Sequence, residues 1–297
     1  MRAFEYFTAT DSKHAVALLA EHAPARVLAG GTDLLADLKS SPSHAPKTVV
    51  DISRAADMRK IEVNARGLCI GALVTHSEIM ASKVIADLFP ALADAAHTIG
   101  AVQTRNLGTL GGNLVTAVPS VDSGPTLVAL DAVATIVGPA GKRQVPMKEF
   151  FVGPRKTVLK QDELLIEIVV PKDNLGKPAH FLKMGLRKGQ ALALVNAASS
   201  LWVDAKKNIC KDVRIALGAV APTVVRAKTA EQFLEGRAAT PENCAEAGRL
   251  AVEDARPISD MRASAEYRKD LVAVLVKRTL EAACAQGRAA KQKGARK

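Results

Sequence analysis

Residues 98–122 read TIGAVQTRNLGTLGGNLVTAVPSVD. Gly100, Gly108, Gly111 and Gly112 share these 25 positions with five Thr or Ser residues and two Asn, which is too little side chain for a hydrophobic core. Glycine permits φ > 0 and close approach of the backbone to another group, at an entropic cost that a simple connection has no reason to incur four times. The stretch reads as backbone N–H groups lining a bound cofactor; taken alone it can also be read as a long surface turn.

Upstream, Val84, Ile85, Leu88, Leu92 and Ala95 predict a helix over 82–98 that delivers the chain to this stretch. Before it, Thr75-His76-Ser77-Glu78 forms a capping box, with His76 expected at a surface position in the first turn. Residues 61–63 and 68–70 alternate as strands. Further back, an apolar strand over 26–29 runs straight into Gly30-Gly31-Thr32-Asp33, and Leu34, Leu35 and Leu38 then recur at helical spacing. Strand, Gly-Gly turn and helix start together offer unpaired N–H groups to a pyrophosphate. Neither a P-loop lysine nor GxGxxG is present, so a plain tight turn with an N-cap remains the second reading. A strand over 48–52 closes a small α/β unit of about 55 residues, whose first helix is capped by Asp11 or Ser12 and ends near Pro24.

Downstream, Gly124-Pro125 opens a helix ending near Leu130, followed by a strand over 134–137. Residues 163–171, ELLIEIVVP, carry the strongest strand pattern, and 172–178 is the expected linker. Strand-like runs at 181–185, 197–203 and 213–220, the latter two joined by a polar turn over 204–207, precede helical patterns at 230–236, 241–255 and 264–285. The division expected is 1–57 and 58–176 as two lobes, 177–286 as a sheet-and-helix domain, and 287–297 as a solvated, frayed basic tail.

Composition limits what this architecture can do. At 297 residues and 48% hydrophobic the chain is globular, and with 3% aromatics it has few platforms for base stacking. The net charge is +11, but five of the positive charges lie in the last ten residues and the remaining 11 − 5 = +6 is scattered, which argues against nucleic acid. Cys69, Cys210, Cys244 and Cys284 lie 34 to 141 residues apart, without metal-ligand spacing, and scattered thiols fit the cytoplasm. No signal peptide and no membrane span is visible in the sequence.

AGGTDLL at 29–35, TIGAVQTRNLGTLGGNL at 98–114 and the following PSVDSGPTLVALDA resemble the flavin-binding subunit of molybdenum hydroxylases. That family includes the medium subunit of bacterial xanthine and carbon monoxide dehydrogenases and the middle domain of single-chain xanthine enzymes. The resemblance covers nearly the whole chain. It implies an α+β fold: a two-lobed, PCMH-type FAD-binding domain like that of vanillyl-alcohol oxidase, then a small antiparallel sheet with helices like the CO dehydrogenase flavoprotein C-terminal domain.

Carried over by position, Val27, Leu28, Ala29, Gly30, Gly31, Thr32, Asp33 and Leu34 would wrap the FAD pyrophosphate. Ile99 and Gly100 match a second cofactor segment, and Thr109, Gly112 and Asn113 a third. Asp122 stands where the family has an acidic residue bonding the cofactor, Leu165 and Lys183 match contact positions, and Leu192 falls where a side chain covers the isoalloxazine ring.

The residues offer no nucleophile–base pair and no metal-ligand spacing, so no catalytic side chain and no metal is expected in this chain; the resemblance places the remaining redox groups on partners. FAD would receive electrons from two [2Fe-2S] clusters on a small subunit, fed by a molybdenum-pterin cofactor on a large subunit. It would pass them to NAD+ or another acceptor within a dimer of heterotrimers. Relatives of the 4-hydroxybenzoyl-CoA reductase type insert an iron-sulfur segment here, for which residues 98–131 leave no room. A self-sufficient FAD-dependent oxidoreductase of the same fold is the alternative; such enzymes often link flavin through His or Cys, and no His lies in the two cofactor motifs. A basic binding protein with structural glycine loops would be colourless and bind polyanions in a salt-sensitive way.

Overall fold

The computed structural model describes residues 3–40, 46–204 and 206–294. Its first strands run parallel because helices connect them. β1 (Glu5–Thr8), α1 (Ser12–Glu21), β2 (Ala25–Leu28), α2 (Leu34–Ser40) and β3 (Thr48–Asp51) follow in order, and β3 lies between β1 and β2. Asp11 caps α1, its carboxylate accepting from the His14 N–H at 2.8 Å. Ala15 and Leu19 on α1 join Val50 and Ile52 in the core.

The second unit inserts its helices along the chain between strands of one sheet. β4 (Ile61–Asn64) and β5 (Gly67–Gly71) come first, then α3 (His76–Ala81), α4 (Lys83–Leu88), α5 (Pro90–His97), α6 (Val102–Leu107), α7 (Leu110–Thr116) and α8 (Ser123–Ala129). β6 (Val133–Gly138), β7 (Gly141–Pro146), α9 (Met147–Phe150), β8 (Phe151–Gly153), β9 (Lys156–Thr157) and β10 (Leu164–Pro171) complete it. The antiparallel sheet has the order β4-β5-β10-β6-β7, and β8 with β9 makes a separate hairpin.

Two expectations change here. The helix expected over 82–98 is two helices, because Pro90 cannot donate an N–H and the chain turns at Phe89, whose ring is fully buried. The glycine-rich stretch, expected as a loop, folds into α6 and α7, and Leu110, Gly111 and Leu114 are buried. A glycine at 111 is required by packing: a Cβ there would lie 2.8 Å from the Ala72 carbonyl oxygen.

β11 (Ala179–Gly185), β12 (Ala193–Asp204), β13 (Ile209–Gly218) and β14 (Val225–Arg226) form an antiparallel sheet in that order. α10 (Lys228–Leu234), α11 (Pro241–Leu250) and α12 (Ala265–Gly294) back it, and a second apolar core fills the space between. All four cysteines are free and buried.

The expected linker over 172–178 is instead packed against its surroundings. Asn174 is buried and donates to the Leu130 carbonyl at 2.9 Å, and the fully buried Lys177 ammonium donates to Asp212 at 2.7 Å. Burial pulls the Lys177 ammonium below the ordinary lysine range against the attraction of Asp212. Arg214 pairs with Asp131 at 2.8 Å and with Asp212 at 2.5 Å, so one cluster of charges joins the second unit to the third.

Of the turn expected over 204–207, Asp204 accepts from the Lys206 and Lys207 N–H groups, and residue 205 lies outside the described residues. The basic end does not begin as a frayed tail at 287. α12 continues to Gly294 through Ala, Lys, Gln and Arg, all good helix formers; residues 295–297 lie outside the described residues. Among the described residues no helix is long and apolar enough to cross a membrane, and no group of three or more His, Cys, Asp or Glu could hold a metal ion.

Candidate functional site

Where β2 meets α2, the strand's parallel pairing ends at Leu28 and the chain must reverse into a helix. Gly31 makes the reversal with φ +71, a conformation that β-branched residues rarely adopt. Among the described residues, the backbone N–H groups of Gly30, Gly31, Thr32 and Asp33 donate to no other protein group. They form one wall of a cavity of about 810 Å³ that opens between the first unit, the helical insert and the β8–β9 hairpin. Unpaired N–H groups at a cavity wall are suited to an anionic ligand.

The opposite wall is the glycine-rich stretch, held by backbone bonds to the end of β5 and the start of α3. Leu110 and Gly111 donate to the carbonyls of Val74 and Ala72, each at 2.8 Å, and His76 donates to Gly108 at 3.1 Å. Thr109 caps α7, its hydroxyl accepting from the Gly112 N–H at 3.1 Å. The two glycine segments touch directly: a Cβ on Gly30 would lie 1.9 Å from the Leu107 carbonyl oxygen.

His76 departs from its expected surface position. The capping box forms as expected, Thr75 and Glu78 bonding reciprocally, yet His76 is only 2% exposed and lines the cavity. The reason is tertiary: Gly108 packs across the first turn of α3 and covers the ring. Burial, with the Arg105 charge adding to it, pushes the imidazole down to about 4, so it is neutral near pH 7.

Of the residues expected to hold the cofactor, Val27, Ala29, Gly30, Gly31, Thr32, Asp33 and Leu34 line the first wall. Ile99, Thr109, Gly112, Asn113 and Leu165 line the others, Leu165 from β10. Leu28 does not line the cavity; its Cδ1 lies 3.0 Å from the position a Gly31 Cβ would take. Gly100, Asp122, Lys183 and Leu192 also lie outside the lining. Three of them stand next to its Ile99 end. Lys183 on β11 donates to Asp122 at 2.6 Å and to the Thr98 carbonyl at 3.0 Å, and Asn196 on β12 donates to the other Asp122 oxygen at 2.9 Å. Burial pushes the Asp122 carboxyl up against the pull of Lys183 and Asn196. Leu192, 53% exposed, sits in the β11–β12 loop, where Gln190 donates to the Gly100 carbonyl at 3.0 Å.

Sequence reasoning missed the β8–β9 hairpin, from which Val152, Arg155 and Lys156 line the cavity, with Lys160 following just after it. Arg155 pairs with Asp37 on α2 and so ties the hairpin to the first unit. Gly153-Pro154 followed by two basic residues marked a turn, but nothing local distinguishes it from a solvated one.

Two outcomes are expected at these walls. Gly31→Val, which forces a β-branched residue to positive φ, and Gly112→Val, which brings a Cβ within 2.9 Å of the Thr109 hydroxyl, should each weaken FAD binding at least about tenfold. Flavin fluorescence titration checks this; unchanged affinity in both variants would remove these segments from the site. At the far end, Arg143 donates twice to Glu163, at 2.8 and 2.7 Å, and holds its carboxyl down at about 2. The resulting stability is present above the ordinary glutamate value and lost as pH falls through about 2. Glu163→Gln should therefore lower the urea midpoint at pH 7 and match wild type near pH 2; an equal deficit at both pH values would contradict the pairing.

Residues 2–173 match the family described as the FAD binding domain in molybdopterin dehydrogenase, and residues 180–283 match the CO dehydrogenase flavoprotein C-terminal domain. The chain is 32% identical over 284 residues to the carbon monoxide dehydrogenase medium chain of Hydrogenophaga pseudoflava, covering 95% of this chain and 98% of that one. It is also 32% identical over 284 residues to the xanthine dehydrogenase FAD-binding subunit of Escherichia coli O157:H7, covering 94% and 96%. The fold superposes on solved carbon monoxide dehydrogenase from H. pseudoflava with a TM-score of 0.90 at 33% identity, over 96% of this chain and 98% of that one. Quinoline 2-oxidoreductase of Pseudomonas putida 86 gives 0.89 at 30%, over 97% and 99%. The cavity fits such a cofactor, with unpaired N–H groups on one wall and a buried, neutral imidazole on another. The chain belongs to the FAD-binding medium-subunit family of the molybdenum hydroxylases, the flavoprotein subunits of these oxidoreductases.

Proposed function

We propose that this chain is the electron-transfer subunit of a molybdenum-containing hydroxylase or dehydrogenase complex, carrying electrons from iron-sulfur clusters on a small partner subunit to NAD+ or another acceptor. Substrate oxidation then belongs to a large molybdenum-pterin subunit, and the assembly is a dimer of heterotrimers. The observation that supports the reading most strongly is the cavity of about 810 Å³ walled by the two glycine segments. FAD bound there supplies the redox chemistry, and the protein supplies position and electrostatics. Residues 27–34, with Thr109, Gly112 and Asn113, would hold its phosphates and adjoining groups. Ile99, Gly100 and Leu165, the Asp122–Lys183 pair and Leu192 would serve the flavin end. The chain divides on this reading at 57, 176 and 286, and its four free thiols suit the cytoplasm.

The test is cofactor and subunit analysis of the complex purified from its native host. Stoichiometric FAD, molybdenum, iron and two co-purifying chains are expected. A yellow, lone chain that turns over substrate would establish a self-sufficient oxidoreductase instead, and a colourless chain would return the glycine segments to a structural role.

A further inference from the structure

Three pieces of chain wall the cavity, and one pair of side chains joins two of them across its opening. Asp37 on α2 and Arg155 at the tip of the β8–β9 hairpin both line the cavity, yet their side chains are 43% and 55% exposed. Side chains that face the cavity and the solvent together stand at its mouth. The Arg155 guanidinium donates to the Asp37 carboxylate, and among the described residues no other hydrogen bond or ion pair connects the hairpin to the first unit. The hairpin pairs with no other strand among the described residues. Its tip is held instead from behind. Arg155 takes φ +57, which residues other than glycine seldom adopt, and its N–H donates to the Ala117 carbonyl at the end of α7 at 2.8 Å.

Arg155 therefore has one bond that fixes it to the second unit and one that breaks easily. A half-exposed ion pair adds little to stability and is screened by salt, whereas the walls on either side are built from backbone hydrogen bonds. That contrast marks the pair as the part of the enclosure that opens. We propose that Asp37 and Arg155 form a latch across the cavity mouth, which parts to admit or release the dinucleotide and closes again behind it. Because the same bond must break in both directions, the latch sets the rate of cofactor exchange and leaves the affinity nearly unchanged. The inference rests on the reading of the cavity as an FAD site.

The test follows FAD entering and leaving the purified complex, by flavin fluorescence, in wild type, Asp37→Asn, Arg155→Met and the double variant. Both single variants should release FAD about two- to fivefold faster, the range that a partly exposed ion pair supports. The two substitutions change the charge at the mouth in opposite senses. A direct pull on the anionic cofactor would therefore slow release in Asp37→Asn and speed it in Arg155→Met, whereas loss of a latch speeds both. The double variant should release FAD no faster than the quicker single variant, since the same bond is lost in each. FAD should also enter Asp37→Asn faster, leaving its Kd no more than about twofold weaker than that of wild type. Added salt should speed release from wild type by a larger factor than from the double variant, because only wild type has the pair to screen. Unchanged or oppositely shifted release rates, additive effects in the double variant, a weaker Kd in Asp37→Asn with unaltered entry, or equal salt effects would each overturn the latch. Failure of the wild-type complex to bind FAD at all would overturn the flavoprotein reading, and the latch with it.

Discussion

Gly30→Ala should strip the purified complex of FAD, lowering affinity on the order of 100-fold, while the C-terminal sheet stays folded. The added methyl would lie 1.9 Å from the Leu107 carbonyl oxygen and 2.6 Å from its carbon, distances that no relaxation of a side chain can relieve because both atoms are backbone. The turn after β2 and the end of α6 must then separate, and the wall carrying the unpaired N–H groups moves away from the wall capped by Thr109. The flavin-to-protein absorbance ratio measures the loss, and far-UV circular dichroism shows that the remainder is intact. Full flavin content in this variant would mean that the junction of the two segments does not set the cofactor's position.

Lys183→Met should be strongly destabilising although it lies outside the cavity lining. The ammonium and the Asp122 carboxylate are 6% and 9% exposed, and their bond joins β11 to the N-terminal end of α8. Removing the cation leaves the carboxylate covered, with Asn196 as its remaining side-chain partner, at a cost of about 3–5 kcal/mol. Lys183→Met combined with Asp122→Asn should recover much of that loss, because no buried charge is then left unpaired. Denaturant midpoints of the two single variants and the double variant give the coupling. A loss below about 1 kcal/mol in Lys183→Met would identify the pair as hydrated and weakly coupled. Lys183 also holds the Thr98 carbonyl, so the same variant should loosen the approach to Ile99 and Gly100.

What could be read from the residues alone was whatever depends on neighbours in the chain. The reciprocal bonds of Thr75 and Glu78, the cap at Asp11, the strand ending at Pro171 and the turn at Gly30-Gly31 are settled within a few positions by dihedral and hydrogen-bond constraints. The break at Pro90 has an equally local cause, the missing proline N–H, but the apolar spacing on both sides of it read as one helix over 82–98. The two glycine segments pointed to a cofactor through their backbone chemistry, which needs no knowledge of packing.

Tertiary structure alone decided burial and pairing across long separations. His76 looks solvent-facing in its capping box and is covered only because Gly108, 32 positions later, folds back over it. Lys177 sits in what reads as a polar linker, and its charge is tolerated inside because Asp212 arrives from β13. Gly30 and Gly111 are glycines because other backbone, at Leu107 and Ala72, occupies the space of a side chain. Desolvation, ion pairing and close packing depend on which segments meet in space, and a local pattern does not encode that.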